Sequence, residues 1–361
     1  MSLILELIPH ILQLKFDART SRGAMQQHQV YYLKLYDQEN KEIIGIGECA
    51  PLPGLSPEYS SDYYTRIKKL VQDVNLFFQV NKLTNTNSIL TLKELASYPA
   101  FVFALETAWL DLKAGGKREI FSNSFSQSET GIPINGLIWM GNKEFMQSQI
   151  KTKLHEGYSC LKLKIGGLDF EMELAILAAI RAVAPANNLI IRLDANGAFG
   201  ASEALEKLSQ LAAFDIHSIE QPIRDGQWEE MQQVCRASPI PVALDEELIG
   251  IQGLEPKQEL LDFIKPTYII LKPTLLGGFA ATNEWIKLAE DRNIKWWITS
   301  ALESNIGLNA ISQFSAQYPL EREQGLGTGQ LYHNNIPSPL NINQGYLFYE
   351  KTSDWDLSKI F

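Results

Sequence analysis

The sequence contains few cysteines, no concentration of positive charge and no long apolar run, and each shortage excludes a class of protein. The three cysteines, Cys49, Cys160 and Cys235, lie far apart without the spacing of metal ligands, which is typical of buried reduced thiols in a cytosolic protein. With a formal net charge of −10 and no basic patch, the chain is not expected to bind nucleic acid as its main partner. No apolar run approaches the length needed to cross a membrane, so no membrane partner is expected either.

The apolar N-terminus also lacks the features of a secretion signal. Residues 2–8 read Ser-Leu-Ile-Leu-Glu-Leu-Ile and are followed by Pro9 and His10, with no basic leader and no small-residue cleavage pattern. We therefore predict that this segment is a first strand and that the protein is cytoplasmic. The sequence does not indicate an oligomeric state.

The chain does contain enough apolar material for a large core and for two domains. Its 361 residues are 45% hydrophobic and 20% charged, the ordinary balance of a soluble globular enzyme. Residues 1–130 are predicted to form an α+β domain that begins with strands, including a hairpin of 31–36 and 43–47, and continues with helices. Residues 131–330 are predicted to form a second domain, and residues 331–361 to return to the first.

Strands and helices alternate through the second domain, which predicts a parallel sheet. Seven or eight such units over about 200 residues fit a closed β/α barrel. An open doubly wound sheet is the alternative, and it is less favoured because no Gly-rich phosphate-binding fingerprint follows the first strand. The predicted strands are 132–138, 161–165, 189–194, 217–220, 242–245, 268–272 and 296–300, and the helices between them include 170–184, 201–214 and 278–292.

Charged residues end five successive strands of this series at nearly even intervals. They are Lys164, Asp194, Glu220, Asp245 and Lys272, and the steps between them are 30, 26, 25 and 27 residues. One strand and one returning helix fit each step. Because the carboxyl ends of barrel strands meet at one mouth, where active sites lie, we expect these side chains to surround a common site.

Lys162 and Lys164 are two residues apart on a predicted strand, so both side chains point to the same face. If that face is the barrel interior, mutual repulsion and desolvation lower the pKa of at least one ammonium group and make it a general base. Taken alone, such a pair is more often two lysines on the solvent face of a strand.

Asp194, Glu220 and Asp245 are hard oxygen ligands on three successive strands, a set that favours Mg²⁺, with Mn²⁺ as a possible substitute. A single strand-end aspartate is more often a helix N-cap or a turn former, but three at one-unit spacing favour a metal site. Glu246 competes for the third position. Because adjacent strand residues point to opposite faces, we expect only one of the two to face the mouth, and we choose Asp245.

Lys272 and Asn196 each allow two interpretations. Lys272 is either a functional cation opposite the lysine pair or a salt-bridge partner of the carboxylates. Asn196 either orients a ligand or forms a turn with Gly197.

Together these residues resemble the enolase superfamily, in its branch with a Lys-x-Lys base, over nearly the whole chain. Residues 45–54 (Gly-Ile-Gly-Glu-Cys-Ala-Pro-Leu-Pro-Gly) resemble a segment of that superfamily's capping domain. Asp194-Ala-Asn, Glu220-Gln-Pro and Asp245-Glu resemble its three metal-ligand motifs, and Lys272-Pro resembles its far-side lysine. The resemblance implies an α/β fold in which an α+β capping domain covers a modified (β/α)7β barrel.

Within the superfamily, three segments most resemble the o-succinylbenzoate synthase family of menaquinone biosynthesis. They are 135–138 (Asn-Gly-Leu-Ile), 300–307 (Ser-Ala-Leu-Glu-Ser-Asn-Ile-Gly) and 325–329 (Gly-Leu-Gly-Thr-Gly). Dipeptide epimerases of the same superfamily carry Asp-x-Asp on the last strand to hold the substrate ammonium, and 325–329 lacks it. Asp245-Glu-Glu stands where Asp-Glu-Ser is usual, which leaves the metal ligand intact.

The resemblance implies a Mg²⁺-dependent carbon–oxygen lyase that eliminates water from a cyclohexadiene carboxylate, a small-molecule substrate. It implies that Lys164 is the base, that Lys162 tunes it, and that Lys272 stabilises the anion from the opposite face of the ring. The alternatives are another racemase, epimerase or cycloisomerase that uses the same lysines, and a non-catalytic binding protein on this scaffold.

The second carboxylate of such a substrate needs an anion site. Hydroxyl, amide, guanidinium and backbone N–H groups are suitable donors. The candidate substrate-binding residues are Ser300, Gly325, Gly327, Asn196 and Arg22.

Overall fold

The computed structural model describes residues 2–20, 23–81 and 92–361. Its strands are β1 Leu3–Thr20, β2 Gly23–Asp37, β3 Asn40–Cys49, β4 Ile132–Pro133, β5 Gly136–Ile138, β6 Cys160–Lys164, β7 Ile190–Asp194, β8 Ser218–Glu220, β9 Val242–Leu244, β10 Tyr268–Leu271, β11 Lys295–Ile298, β12 Leu340–Asn343 and β13 Tyr346–Tyr349. Its α-helices are α1 Tyr63–Val80, α2 Pro99–Lys113, α3 Lys143–His155, α4 Phe170–Val183, α5 Ala204–Leu211, α6 Trp228–Ala237, α7 Leu254–Ile264, α8 Pro273–Leu276, α9 Gly278–Glu290 and α10 Asn305–Ser315.

The first three strands form an antiparallel sheet in chain order, with α1 and α2 packed on one face. The predicted hairpin is confirmed, since β2 pairs with β3 around a turn at 38–39. Apolar residues alternate along these strands and recur on one face of each helix, so burying them together forms a single core cluster. Gly45 and Gly47 let α2 lie directly on β3, because a Cβ atom would stand 2.0 and 1.8 Å from the backbone oxygens of Ala108 and Ala104.

Strands β5 to β11 form a seven-stranded parallel sheet in unbroken chain order. A doubly wound sheet reverses its strand order near the middle, so that alternative is excluded. Single bridges join Ile134 to Gln324 and Thr299 to Gly325, which places residues 324–325 between the two edge strands and closes the barrel. The α/β barrel fold with an accompanying α+β sheet and helices is therefore confirmed.

The predicted first barrel strand at 132–138 is wrong in its extent. It consists of two short strands: β4 pairs with β13, and only β5 pairs with β6 in the barrel. Pro133 has no amide hydrogen to donate, which confines proline to sheet edges and irregular positions. The other predicted barrel strands agree with the observed ones to within two residues at each end.

The C-terminal residues contact both the barrel and the first sheet. Strand β13 pairs with β4 next to the barrel, whereas Tyr332 forms a bridge with Leu14 of β1. Ile336 and Ile360 join a core cluster that contains residues of β1 and β2. Within the described ranges, none of the helices has the combination of length and apolarity that a bilayer crossing requires.

Candidate active site

The five strand-end residues lie side by side in the interior of the barrel. Strand register places Lys164 of β6 opposite Asp194 of β7, and Asp194 opposite Glu220 of β8. Asp245 and Lys272 come directly after β9 and β10. All five side chains are buried, which charged groups almost never are unless they are paired.

Each carboxylate is paired with a lysine ammonium group. Lys162 Nζ lies 2.9 Å from Asp194 Oδ2 and 2.7 Å from Glu220 Oε1. Lys164 Nζ lies 2.5 Å from the same Asp194 oxygen, and Lys272 forms an ion pair with Asp245. Lys162 and Lys164 therefore point together into the barrel, away from solvent.

Burial lowers the pKa of all three lysine ammonium groups, but the net direction differs among them. For Lys162 the charges of Asp194 and Glu220 outweigh burial and raise the pKa. Lys272 behaves in the same way because of Asp245. For Lys164 the charge of Asp194 does not compensate for burial and for the repulsion by Lys162, so its pKa is lowered. Lys164 is therefore the lysine that most readily becomes a neutral amine.

The three carboxylates also differ from one another. Burial raises the pKa of each, but the charges of Lys162 and Lys164 hold the pKa of Asp194 well below its usual range. Lys272 likewise lowers the pKa of Asp245. Burial and the neighbouring charge of Asp194 together raise the pKa of Glu220 well above its usual range. At Glu220, therefore, the charges of the lysines do not compensate for burial and for the repulsion from Asp194.

The donor set fits a hard divalent cation, although the side chains are not arranged around one. Within residues 2–20, 23–81 and 92–361, no three His, Cys, Asp or Glu side chains converge closely enough to hold a metal ion as they stand. Instead, lysine ammonium groups contact each carboxylate. Asp194, Glu220 and Asp245 are nevertheless buried oxygen donors on adjacent strands, and a cation among them would relieve the repulsion at Glu220.

The expectation that only one of Asp245 and Glu246 can face the site is wrong. Strand β9 ends at Leu244 and Glu246 begins a 3₁₀ turn, so strand alternation does not apply at these two residues. Glu246 Oε1 accepts a hydrogen bond of 3.0 Å from Asn196 Nδ2, and Asn196 Oδ1 accepts one of 2.9 Å from Lys164. Asp245 contacts Lys272, whereas Glu246 reaches Lys164 through Asn196.

The three lysines line one small cavity of about 100 Å³ at the barrel mouth. Its polar wall includes Ser300, Gly325 and Gly327, so the structure brings three of the predicted substrate-binding residues together with the lysines. An adjoining cavity of about 300 Å³ shares part of the apolar wall. Arg22 lies outside the described residues.

Gly325 lines the cavity, but its backbone N–H group is not available to bind a substrate carboxylate as expected. Its backbone N–H donates to Ile298 O at 2.8 Å, so that hydrogen is already used and does not face a substrate. A Cβ atom on Gly325 would stand 2.0 Å from Thr299 Oγ1. Glycine is therefore needed here for close packing of the closing segment against β11. Ser300 Oγ lies 2.6 Å from Thr328 Oγ1 and remains next to the cavity.

Sequence reasoning missed the apolar wall of the cavity. Leu52, Leu55, Trp139 and Leu302 line both the small cavity and its neighbour. Leu52 belongs to the Pro-Leu-Pro-Gly segment at 51–54, which the sequence places only in the first domain. The two prolines of this segment follow directly after an apolar strand, and this signal could have indicated a rigid loop beside the site.

Three comparisons with known proteins agree with this geometry. The family model described as enolase C-terminal domain-like matches residues 146–352. The chain is 47% identical over 354 residues to an o-succinylbenzoate synthase of Desulfotalea psychrophila, covering 92% of this chain and 95% of that one. The crystal structure of MenC from Desulfotalea psychrophila superposes with a TM-score of 0.83 and 41% identity, covering 96% of this chain and 99% of that one.

A more distant neighbour shows how far the fold extends. The L-Ala-D/L-Glu epimerase of Bacillus subtilis superposes with the same TM-score of 0.83 at 18% identity, covering 99% of this chain and 98% of that one. Proteins named for different activities thus share this fold, and the fold alone does not distinguish between those activities.

Proposed function

The chain belongs to the enolase superfamily, and from that premise we infer that it is an enzyme with the activity of an o-succinylbenzoate synthase. The reaction is the syn-dehydration of 2-succinyl-6-hydroxy-2,4-cyclohexadiene-1-carboxylate to 2-succinylbenzoate in menaquinone biosynthesis, catalysed by a carbon–oxygen lyase. The observation that carries the proposal is the convergence of Lys162, Lys164 and Lys272 on one buried cavity beside three carboxylates. The 47% identity to a synthase of that name supports it.

In this proposal Asp194, Glu220 and Asp245 hold Mg²⁺, with Mn²⁺ as a possible substitute. When bound, the ion supplies a Lewis acid for the substrate carboxylate. With a cation among them, these carboxylates would not depend on the lysines for charge balance. Lys162 would serve as a hydrogen-bond donor next to the reacting carboxylate and as a positive neighbour of Lys164.

Lys164 moves the proton. As a neutral amine it takes the hydrogen from the ring carbon that bears the carboxylate, and the electron pair of that C–H bond passes into the carboxylate as an enediolate. That pair then forms the new ring double bond as the C–O bond on the adjacent carbon breaks, and Lys164 returns the proton to the departing oxygen, so that water leaves and no other reactant is needed. The lowered pKa of Lys164 supports this role, because a general base must be deprotonated near the working pH.

Lys272 stabilises charge from the other side of the cavity. Its role in this proposal is to provide a positive charge beside the ring during the reaction. Asn196 holds Lys164 through a hydrogen bond of 2.9 Å, which makes it a positioning residue for the base.

Ser300 and the backbone around Gly327 are proposed to bind the succinyl carboxylate, together with Arg22. Ser300 and Gly327 support this assignment because both line the cavity that contains the three lysines. A hydroxyl group and a chain segment without a Cβ atom allow a carboxylate to approach closely. Gly325 contributes through close packing, not through its N–H group.

The remaining assignments are parts of the same proposal. Residues 1–130 and 331–361 form the capping domain, and residues 131–330 form the catalytic barrel. The partner is a small-molecule carboxylate, with no nucleic acid and no membrane. The location is cytoplasmic, which the three free thiols support, because disulfides are rare in reducing compartments.

The test is an ultraviolet assay of ring aromatisation with the cyclohexadiene precursor, run beside a panel of L,L- and L,D-dipeptides and N-succinylated amino acids in D₂O. We expect fast aromatisation with Mg²⁺ and little exchange of the dipeptide α-hydrogen for deuterium. Fast α-exchange without aromatisation would instead assign the chain to the epimerases or racemases. No reaction with any compound would support the non-catalytic binding protein.

A further inference from the structure

His28 lies on β2, outside the catalytic cluster, yet it contacts two chain segments that contribute residues to the cavity wall. Its side chain is 1% exposed. Nδ1 lies 3.0 Å from the carbonyl oxygen of Leu302, and Nε2 lies 3.2 Å from the carbonyl oxygen of Pro51. Leu302 belongs to the segment after β11, and Pro51 to the segment after β3. Burial lowers the pKa of His28, so the ring is neutral and its single N–H donates to one of the two carbonyl groups while the ring packs against the other. The imidazole therefore contacts both parts of the chain.

The two carbonyl groups belong to residues at the apolar wall of the cavity. Leu302 itself and Leu52, which follows Pro51, both line the small cavity that contains the three lysines and the adjoining cavity. A residue that contacts the backbone beside both leucines therefore helps to set the shape of this apolar wall.

Leu302 is held in an unfavourable backbone conformation. Its φ is +67°, in the left-handed region that residues with a branched side chain rarely adopt. Tyr332 donates its phenolic hydrogen to the same carbonyl oxygen at 2.6 Å, so this oxygen is contacted by both Tyr332 and His28. The cost of the left-handed conformation is comparable to the net gain of one or two hydrogen bonds. The conformation of Leu302 therefore depends on these contacts.

We propose that His28 is a positioning residue that determines substrate affinity, by holding the strained Leu302 and the Pro51 segment at a fixed separation. This inference rests on the proposed function. His28 touches none of the reacting groups, so its loss changes how well the cavity fits the ring and not the proton transfer. Without these contacts, Leu302 relaxes toward negative φ, and its side chain leaves the position that it has in the cavity wall.

The experiment measures KM, kcat and thermal unfolding for His28→Leu and His28→Gln with the cyclohexadiene precursor. His28→Leu removes all hydrogen-bonding capacity, and we expect KM to rise about tenfold, the effect of roughly one lost hydrogen bond, with kcat within about threefold. Gln retains amide hydrogens that can donate to a carbonyl oxygen, so His28→Gln should restore part of the affinity.

Tyr32→Phe is the matched control. Tyr32 lies on the same strand and makes a buried hydrogen bond of 3.0 Å to Ser304, but neither residue lines the cavity. The Tyr32→Phe change should lower the thermal unfolding temperature without raising KM. If His28→Leu behaves like Tyr32→Phe, with KM unchanged, the positioning role is wrong. If neither His28 variant folds, Tyr332→Phe removes the other donor to Leu302 and should raise KM in the same way; an unchanged KM there would also overturn the proposal.

A coupling measurement tests the strain directly. Glycine adopts positive φ without cost, so Leu302→Gly removes the conformational demand on His28. In that background His28→Gln should change KM by less than it does in the wild-type background. Equal changes in both backgrounds would contradict the proposal. Failure of the wild-type protein to aromatise the precursor, by contrast, would count against the proposed function itself.

Discussion

The ammonium nitrogen of Lys164 lies 2.5 Å from Oδ2 of Asp194, so the proposed base and a proposed metal ligand share one hydrogen bond. The strand register causes this contact, because Lys164 and Asp194 are direct partners on adjacent parallel strands. The pairing of β6 with β7 therefore determines that Lys164 lies next to Asp194. The pairing of β7 with β8 places Glu220 beside Asp194, so lysines and carboxylates form one buried cluster.

The first prediction concerns the metal. Adding Mg²⁺ should raise the thermal unfolding temperature of the wild-type protein, since a ligand at 100 times its dissociation constant stabilises by about 2.7 kcal/mol. Glu220→Gln should lose this shift and the activity while remaining folded. Glu203→Gln is the control, because Glu203 lies on the surface in an ion pair with Lys207, and it should keep both. Full activity in excess chelator would contradict the metal site.

The second prediction concerns Lys272. If this lysine acts only through its charge, Lys272→Arg should retain more activity than Lys272→Ala, because a guanidinium group stays protonated and cannot serve as a base. Arginine is larger, and the cavity holds only about 100 Å³, so we expect partial activity in steady-state kinetics. Equal loss in both variants, with normal folding, would favour a proton-transfer role for Lys272.

The third prediction concerns Lys162, which contacts both Asp194 and Glu220. Lys162→Ala removes a positive neighbour of Lys164 and a donor to two carboxylates, so kcat should fall, but by less than the loss on changing Lys164 itself. Lys207→Ala is the matched surface control and should leave kcat unchanged. The measurement is kcat at saturating precursor and Mg²⁺, and a loss larger than that of Lys164→Ala would exchange the roles of the two lysines.

The fourth prediction concerns stability and pH, away from the catalytic cluster. Glu106 on α2 is 4% exposed and accepts hydrogen bonds from the backbone of Phe279 and Ala280 at the start of α9. Burial raises its pKa to about 7. The folded protein therefore binds this proton more tightly than the unfolded chain does. The stability contributed by Glu106 is complete below about pH 4.5 and is lost as the pH rises through 7.

Glu106→Gln should remove this dependence, since an amide does not ionise. Relative to the variant, the wild-type protein should lose up to roughly 3 kcal/mol of unfolding free energy between pH 4.5 and pH 8. Denaturant unfolding across that range measures the difference. Glu206→Gln, on the exposed face of α5, is the control and should follow the wild type. Parallel curves for wild type and Glu106→Gln would show that the pKa of Glu106 is the same in the folded protein as in the unfolded chain.

The sequence predicted those features that follow from strand periodicity. The regular steps between Lys164, Asp194 and Glu220 indicated a barrel mouth, and the structure places the three residues in adjacent strands. The predictions from the sequence failed where a strand ends earlier than expected. Glu246 reaches the site because β9 stops at Leu244, and the chain enters the barrel only after Pro133, which pairs with β13. Alternation rules give no information beyond the last paired residue.

Contacts between distant segments could not be predicted in the same way. Leu302 and Leu52 line the same cavity although they are far apart in the chain, and the carbonyl oxygen of Leu302, whose φ is positive, accepts a hydrogen bond from Tyr332. No local pattern marks a leucine with positive φ, since intrinsic preference disfavours it. The apolar half of the cavity is therefore a tertiary property, whereas its charged half is visible in the spacing of the strands.

The central claim, that Lys164 removes the ring proton during Mg²⁺-dependent dehydration, is tested most directly by the aromatisation rate of Lys164→Ala. The rate is followed by ultraviolet absorbance in a single turnover with excess enzyme, Mg²⁺ and the cyclohexadiene precursor, beside wild type and Lys207→Ala. We predict that Lys164→Ala is slower by about 10²- to 10⁴-fold, while it still binds 2-succinylbenzoate and unfolds at a similar temperature. A rate close to that of wild type would contradict the account.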